Sequence, residues 1–348
     1  MARYCLISIL MLAILCCLLD ASISKEICAR KIFNLNELNP KFDILPGLIL
    51  SGSSVSIDEN NNIFFLDFKN HRILKFDLKG NFIRQIGRIG QEGNSLFEPI
   101  GVFARGDKVY VLDRYGNRMK IFSHEGDLIS SFSFAENIRT NSFIIIKDLI
   151  IVNELQNKAY NKRRPLSIYA NDFKKIAEIG KQIKCTSFAA YRNFNEAYLC
   201  SNDNSIYGAF RAYPVLFRND LPGRDLFFHD LRQLGIEEIS AIDKEGKERG
   251  VDSPESIKNE HSIKSMVFCS GLGVDENGQI YYALNYDKAR RGVVLHLDEN
   301  GNLLEKIVLK LDGKQIRVEG VYVKNQLRLA LGTEAENRSR AEMFLLEF

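Results

Sequence analysis

Two carboxylates stand out for their setting. Glu98 in "FEPIGVF" and Glu319 in "VEGVYVK" each come just before a glycine-containing apolar run, which places an acid at the entrance to a strand. His71 and Arg72, and Arg114 and Tyr115, follow other apolar runs at polar corners. Charge and aromatic surface in one place suit the binding of a polar ligand or a peptide segment. The two glutamates, helped by backbone carbonyls, could also hold calcium. Metal-dependent catalysis asks for more, because several imidazoles or carboxylates must converge on one point. The chain has five histidines. His124 and His296 fall in or beside hairpins, His229 on a strand, His71 at a corner and His261 in a long connection. There is no Cys-x-x-Cys pair, GxSxG elbow or phosphate loop.

The elements that must position these residues repeat. Asp67, Arg72, Phe76 and Gly80 recur 46 places later as Asp113, Arg118, Phe122 and Gly126. Six segments open with small or polar residues followed by an apolar run, starting at Ser51, Phe97, Thr140, Cys185, Cys269 and Val318, at intervals of 46, 43, 45, 84 and 49 residues. A period of about 45 residues, with short alternating strands and a turn every 8 to 12 residues, is the pattern of propeller blades, each a four-stranded sheet. The spacing predicts first strands near 54–57, 100–104, 142–146, 187–191, 272–275 and 320–323. Hairpins such as "LKGNFIRQI", "SHEGDLISSF" and "DENGNLLEKI" place Gly80, Gly126 and Gly301 where a turn requires positive φ.

The stretches "NIFFLDFKNHRILKFDLKGNFIRQIG", "PIGVFARGDKVYVLDRYGNRMKIFSHEGDLISSF", "GVDENGQIYYAL" and "VVLHLDENGNLLEKI" resemble the NHL-repeat class of six-bladed β-propellers. The resemblance implies an all-β fold of six four-stranded antiparallel blades and a role as a binding platform. Relatives of the same fold include amidating lyases, lactonases and other metal-dependent enzymes, and fold alone does not choose between these roles. The last repeat has three strands, "GVYVKN", "LRLALG" and "EMFLLEF". The segment "CARKIFNL" from Cys28 is expected to supply the fourth and so remove a sheet edge.

Arg3, the apolar run "YCLISILMLAILCCLL" and the small residues Ser22–Ser24 read as a secretory signal over residues 1–24, with a lipid-modified Cys16 or Cys17 as the alternative. The expected mature chain is a single domain, 25–348, exported to a secreted or periplasmic location, monomeric and without a transmembrane span. With 47 Lys and Arg against 44 Asp and Glu, the net charge of +3 is spread along the chain and does not call for nucleic acid. Its cysteines would be Cys28, Cys185, Cys200 and Cys269. Cys185 and Cys200 flank a predicted hairpin and are expected either to bridge across it or to stay as buried thiols. The long fourth interval leaves an insertion at about 231–268. "SPESIKNEHSIK" within it predicts a short helix capped by Ser253 and brings Glu255 and His261 to the face that carries Glu98, Arg114, Tyr115 and Glu319. The insertion is read either as a lid or as a solvated loop, in both cases outside the repeated core. The residues thus point to a non-catalytic module that recognises a protein or an extracellular polymer without a required cofactor. The alternative is a calcium- or zinc-dependent hydrolase or lyase.

Overall fold

A computed structural model of the chain describes residues 24–34, 54–90, 93–134, 142–155, 162, 164–221, 223–248, 266–284, 292–324, 326–334 and 343–348. The expected signal segment 1–24, apart from Ser24, lies outside these residues, as do Glu255, His261 and the helix expected from Ser253.

Strands β1 (Ser24–Cys28) and β2 (Arg30–Asn34) come first in the chain but belong to its last sheet. Four antiparallel four-stranded sheets follow in chain order. The first holds β3 (Val55–Ile57), β4 (Ile63–Asp67), β5 (Arg72–Phe76) and β6 (Phe82–Ile86). The second holds β7 (Pro99–Arg105), β8 (Lys108–Asp113), β9 (Arg118–Ser123) and β10 (Leu128–Ser133). The third holds β11 (Phe143–Ile146), β12 (Leu149–Asn153), β13 (Leu166–Tyr169) and β14 (Lys175–Ile179). The fourth holds β15 (Ala197–Ser201), β16 (Ser205–Phe210), β17 (Val215–Asp220) and β18 (Asp225–Asp230). A nine-stranded sheet runs β19 (Cys269–Val274), β20 (Ile280–Leu284), β21 (Val293–Leu297), β22 (Leu303–Leu311), β23 (Lys314–Lys324), β24 (Leu327–Glu334), β25 (Met343–Glu347) and then β2, with β1 added in parallel to β22. The segment from Cys28 pairs antiparallel to β25, so Arg30 lies opposite Glu347.

In the four four-stranded sheets the last strand is the most exposed. β4 is buried throughout, whereas β6 is exposed except at Ile86. The first strands lie side by side: β3 against β7, β7 against β11, β11 against β15, β15 against β19, β19 against β23, and β23 against β3. Apolar layers fill the spaces between successive sheets, and one of them packs Val55 and Ile57 against Tyr322, Leu329 and Leu345. The crowded centre explains why each repeat opens with small or polar residues. Ser56 Oγ accepts the N–H of Ala104 at 2.9 Å, Ser142 Oγ accepts that of Leu199 at 2.9 Å, and the hydroxyl of Ser270 donates to Val318 O at 2.8 Å. At Gly271 a Cβ would lie 2.5 Å from Val321 N and 2.8 Å from the Gly320 Cα, so β19 and β23 approach backbone to backbone only because glycine stands there.

The turns are local devices. Asp77 Oδ1 accepts the N–H groups of Lys79 and Asn81, Oδ2 accepts the Asn81 amide at 2.8 Å, and Asp298 repeats the arrangement with Asn300 and Asn302.

The expected first strand at 187–191 is instead helix α1 (Phe188–Phe194), capped by Ser187, whose side chain accepts the N–H of Ala190 at 3.2 Å. The first strand of that sheet is β15. "SFAAYRNF" suits either periodicity over so short a run, and a serine cap followed by two alanines favours the helix. The predicted hairpin between Cys185 and Cys200 is therefore absent, and the two cysteines form no disulfide with each other; the Cys185 thiol lies 3.4 Å from Ile183 O.

Candidate functional site

The site is built from the ends of β7 and β8. Pro99 pairs with Asp113, so Glu98, just ahead of β7, and Arg114, just after β8, emerge at the same end of the sheet. Asp113 is 3% exposed, and its carboxylate accepts the backbone N–H of Glu98 at 2.7 Å and that of Phe97 at 3.0 Å. Arg114 N–H donates to Glu98 O at 3.0 Å, and the two side chains form an ion pair. The Arg114 guanidinium holds the Glu98 carboxyl below the usual carboxylate range despite the opposing effect of partial burial. With both backbones held, Phe97 and Tyr115 stack with ring centroids 4.6 Å apart while remaining 44% and 72% exposed. Ile89, on the connection leading into β7, is 63% exposed. Stacked rings at a surface retain apolar area that only a partner can cover.

His71, at the β4–β5 corner with φ of 55°, adds to the positive field at Glu98, and its buried Nδ1 has no hydrogen-bond partner. Glu98, Arg114, Tyr115 and His71 are thus brought together. Arg72 serves its own corner, with Nε donating to Asp67 Oδ2 at 2.8 Å and Nη1 to Gln85 Oε1 at 3.2 Å.

Glu319 is not the counterpart of Glu98. It sits at a bulge inside β23, between the pairs Val318↔Gly332 and Gly320↔Leu331, where β7 has Ile100 and β19 has Ser270. The shift arises because β22 and β23 continue as a hairpin through Lys310↔Gln315 and Leu311↔Lys314, so β23 starts earlier than its repeat would. Glu319 faces Arg317 at 2.8 Å. Glu98 and Glu319 are thus each paired with a neighbouring arginine. Among the described residues no three metal-ligating side chains group together.

Pair spacing repeats in the fourth sheet, where repeat reading missed it. Glu196, just ahead of β15, accepts the Arg211 N–H at its carbonyl at 2.8 Å and pairs with Arg211 Nη1 at 3.1 Å. The long connection then starts with a 3₁₀ turn (Leu231–Leu234) and helix α2 (Glu237–Glu248). Its described part is not peripheral. Leu231, Ile236, Ile239 and Ile242 are buried in one layer with Tyr198, Leu272 and Tyr282, and Lys306 Nζ reaches Glu238 at 3.3 Å. The expectation that the whole insertion lies outside the core is corrected by this packing. Arg232, held by Asp230, also donates to the Tyr213 hydroxyl at 2.8 Å at the same end of the sheet as Arg211.

Known proteins bear on the fold. No known protein-family profile matches the chain. A 95-residue stretch, 26% of this chain, is 27% identical to Protein brain tumor of Drosophila melanogaster, and the match spans only 9% of that protein. Among solved structures, a DUF4221-family member from Bacteroides vulgatus is 11% identical over 86% of this chain and 92% of its own, with a TM-score of 0.53. A Bacteroides fragilis protein is 10% identical over 86% of this chain and 90% of its own, with a TM-score of 0.54. Both neighbours are β-propellers. This chain is an all-β propeller. The propeller holds its Glu98, Arg114 and Tyr115 cluster on the face from which second-to-third strand loops and sheet-to-sheet connections emerge. No helix among its described residues is long and apolar enough to cross a membrane.

Proposed function

We propose that this chain is an exported, six-bladed propeller of the NHL-repeat type, and that it binds a protein or an extracellular polymer without catalysis through the face bearing Glu98, Arg114 and Tyr115. The observation that carries the binding role is the exposed Phe97–Tyr115 stack beside the Glu98–Arg114 pair, held in place from beneath by the buried Asp113. A rigid aromatic anchor beside an arginine is the composition of an interface hot spot. Six blades follow if the nine-stranded sheet is counted as two, β19–β22 and β23–β25 with β2, with β1 as an added edge. The side-by-side succession of first strands from β3 through β23 and back supports that count. Export rests on the leader at 1–24, and a monomer remains the expected state.

The test is recovery of the partner that co-purifies with the exported protein. Arg114→Ala combined with Tyr115→Ala is expected to weaken its binding at least tenfold, about 1.4 kcal/mol, while the melting temperature stays within a few degrees of the parent. Unchanged affinity in that double variant would remove the proposed face. Mass spectrometry of the exported protein tests the leader, with Lys25 expected as the first residue.

A further inference from the structure

The two faces of the propeller differ in charge. On the face away from the site, the turns 58–62, 77–81, 106–107, 124–127, 147–148, 170–174, 202–204, 221–224, 275–279 and 298–302 carry thirteen carboxylates against four Lys or Arg among their described residues. On the site's face, the described loops of the first four sheets, within 68–71, 87–98, 114–117, 154–165, 180–196 and 211–214, carry nine Lys or Arg against three glutamates, and the described start of the long connection, 231–248, adds three Lys or Arg and five carboxylates. Among the described residues, a modest net charge of +3 therefore hides acidic turns on one face and an excess of Lys and Arg in the loops of the other.

We infer that the site's face takes an acidic protein segment bearing aromatic or aliphatic side chains, an inference that rests on the reading of this face as a binding surface. Charge complementarity selects an acidic partner. The form of the site selects a polypeptide over a denser polyanion. Arg114 and Arg211, which follow β8 and β16 beside the entrances to β7 and β15, are each paired with a carboxylate, Glu98 and Glu196. Apolar area is exposed on this face, at Phe97, Tyr115 and Ile89. A chain that alternates carboxylates with apolar side chains can use both features, its apolar groups covering the stack and its acids meeting the surrounding lysines and arginines. The acidic turns of a second copy fit less well, because Asp77 and Asp298 turn their carboxylates into their own loops.

The experiment measures binding of three fluorescent probes to the full mature chain: a random copolymer of glutamate and tyrosine, polyglutamate of equal length, and heparin. A single-stranded RNA of matching length is added as a fourth. The copolymer is expected to bind at least tenfold more tightly than polyglutamate, to lose that advantage in Phe97→Ser with Tyr115→Ser, and to weaken as salt rises from 50 to 300 mM, settings chosen to span about one Debye length to well-screened conditions. Both replaced rings are exposed, so circular dichroism and melting of the variant should match the parent. Heparin or RNA binding as tightly as the copolymer, with no dependence on Phe97 and Tyr115, would overturn the inference. If no acidic probe binds, the partner class is wrong. The face itself still stands as the binding surface if the co-purifying partner is lost in the Arg114 and Tyr115 double variant, and falls if that partner is retained.

Discussion

Asp113 Oδ1 accepts the backbone N–H of Glu98 at 2.7 Å. Through this bond a buried carboxylate at the end of one strand sets the entrance to its neighbour, and with the second bond to Phe97 it fixes the direction in which the exposed rings project.

Replacing Asp113 by Ala leaves two N–H groups without their acceptor. The expected loss of stability is about 1–3 kcal/mol, read from urea denaturation, together with weaker partner binding because the Phe97–Tyr115 stack loses its support. Asp113→Asn keeps one acceptor oxygen and should fall between the parent and the alanine variant in both measurements. Parental stability in Asp113→Ala would show that the clamp contributes nothing.

Helix α2 should matter to the fold. Ile239 is fully buried between the fourth sheet and β19–β22, so Ile239→Ala is expected to cost about 2–5 kcal/mol. Exposed Lys247→Ala on the same helix should cost under about 0.5 kcal/mol. Chemical denaturation of the two variants compares the sites directly, and equal stabilities would mean that the helix is not part of the core.

Removing residues 24–34 takes β2 from β25 and β1 from β22, leaving two ladder edges unpaired. The shortened chain is expected to lose at least about 3 kcal/mol and to associate at its exposed edges. Differential scanning calorimetry and sedimentation velocity check the two effects, and an unchanged melting temperature would contradict the pairing.

His124 makes stability depend on pH. Its ring is tilted against Phe64 at 5.1 Å, and its Nε2 is buried without a hydrogen-bond partner. Burial, reinforced by Lys75, pushes its pKa below the ordinary 6.5. As pH falls past 6.5 the unfolded chain takes up this proton before the folded one does, so the stabilisation present above that value is lost on acidification. His124→Gln should therefore flatten the dependence between pH 7.5 and the folded-state titration below 6.5, measured as urea midpoints at successive pH values. An equal slope in parent and variant would show that another group controls this window.

Much of the architecture was legible because it is local or periodic. An aspartate that caps its own loop two and four residues on, as Asp77 and Asp298 do, needs no other part of the chain. The period of about 45 residues located β3, β7, β11 and β19, since a first strand buried on both sides demands an unbroken apolar run. Glu98, Arg114 and Tyr115 could be placed on one face because each borders a strand whose direction follows from the hairpin pattern. Folding settled the rest through contacts between residues far apart in the chain. "SFAAYRNF" became α1 because its cap and packing outweighed a short apolar pattern common to helices and strands. Glu319 moved off the strand entrance because β22 and β23 prolonged their ladder. Asp113 found its role only when β7 lay beside β8, and α2 joined the core only when the fourth sheet and β19–β22 offered it a buried layer. Hydrogen bonds within a turn are dictated by chain spacing, whereas burial and strand register depend on surfaces that exist only once the sheets are packed.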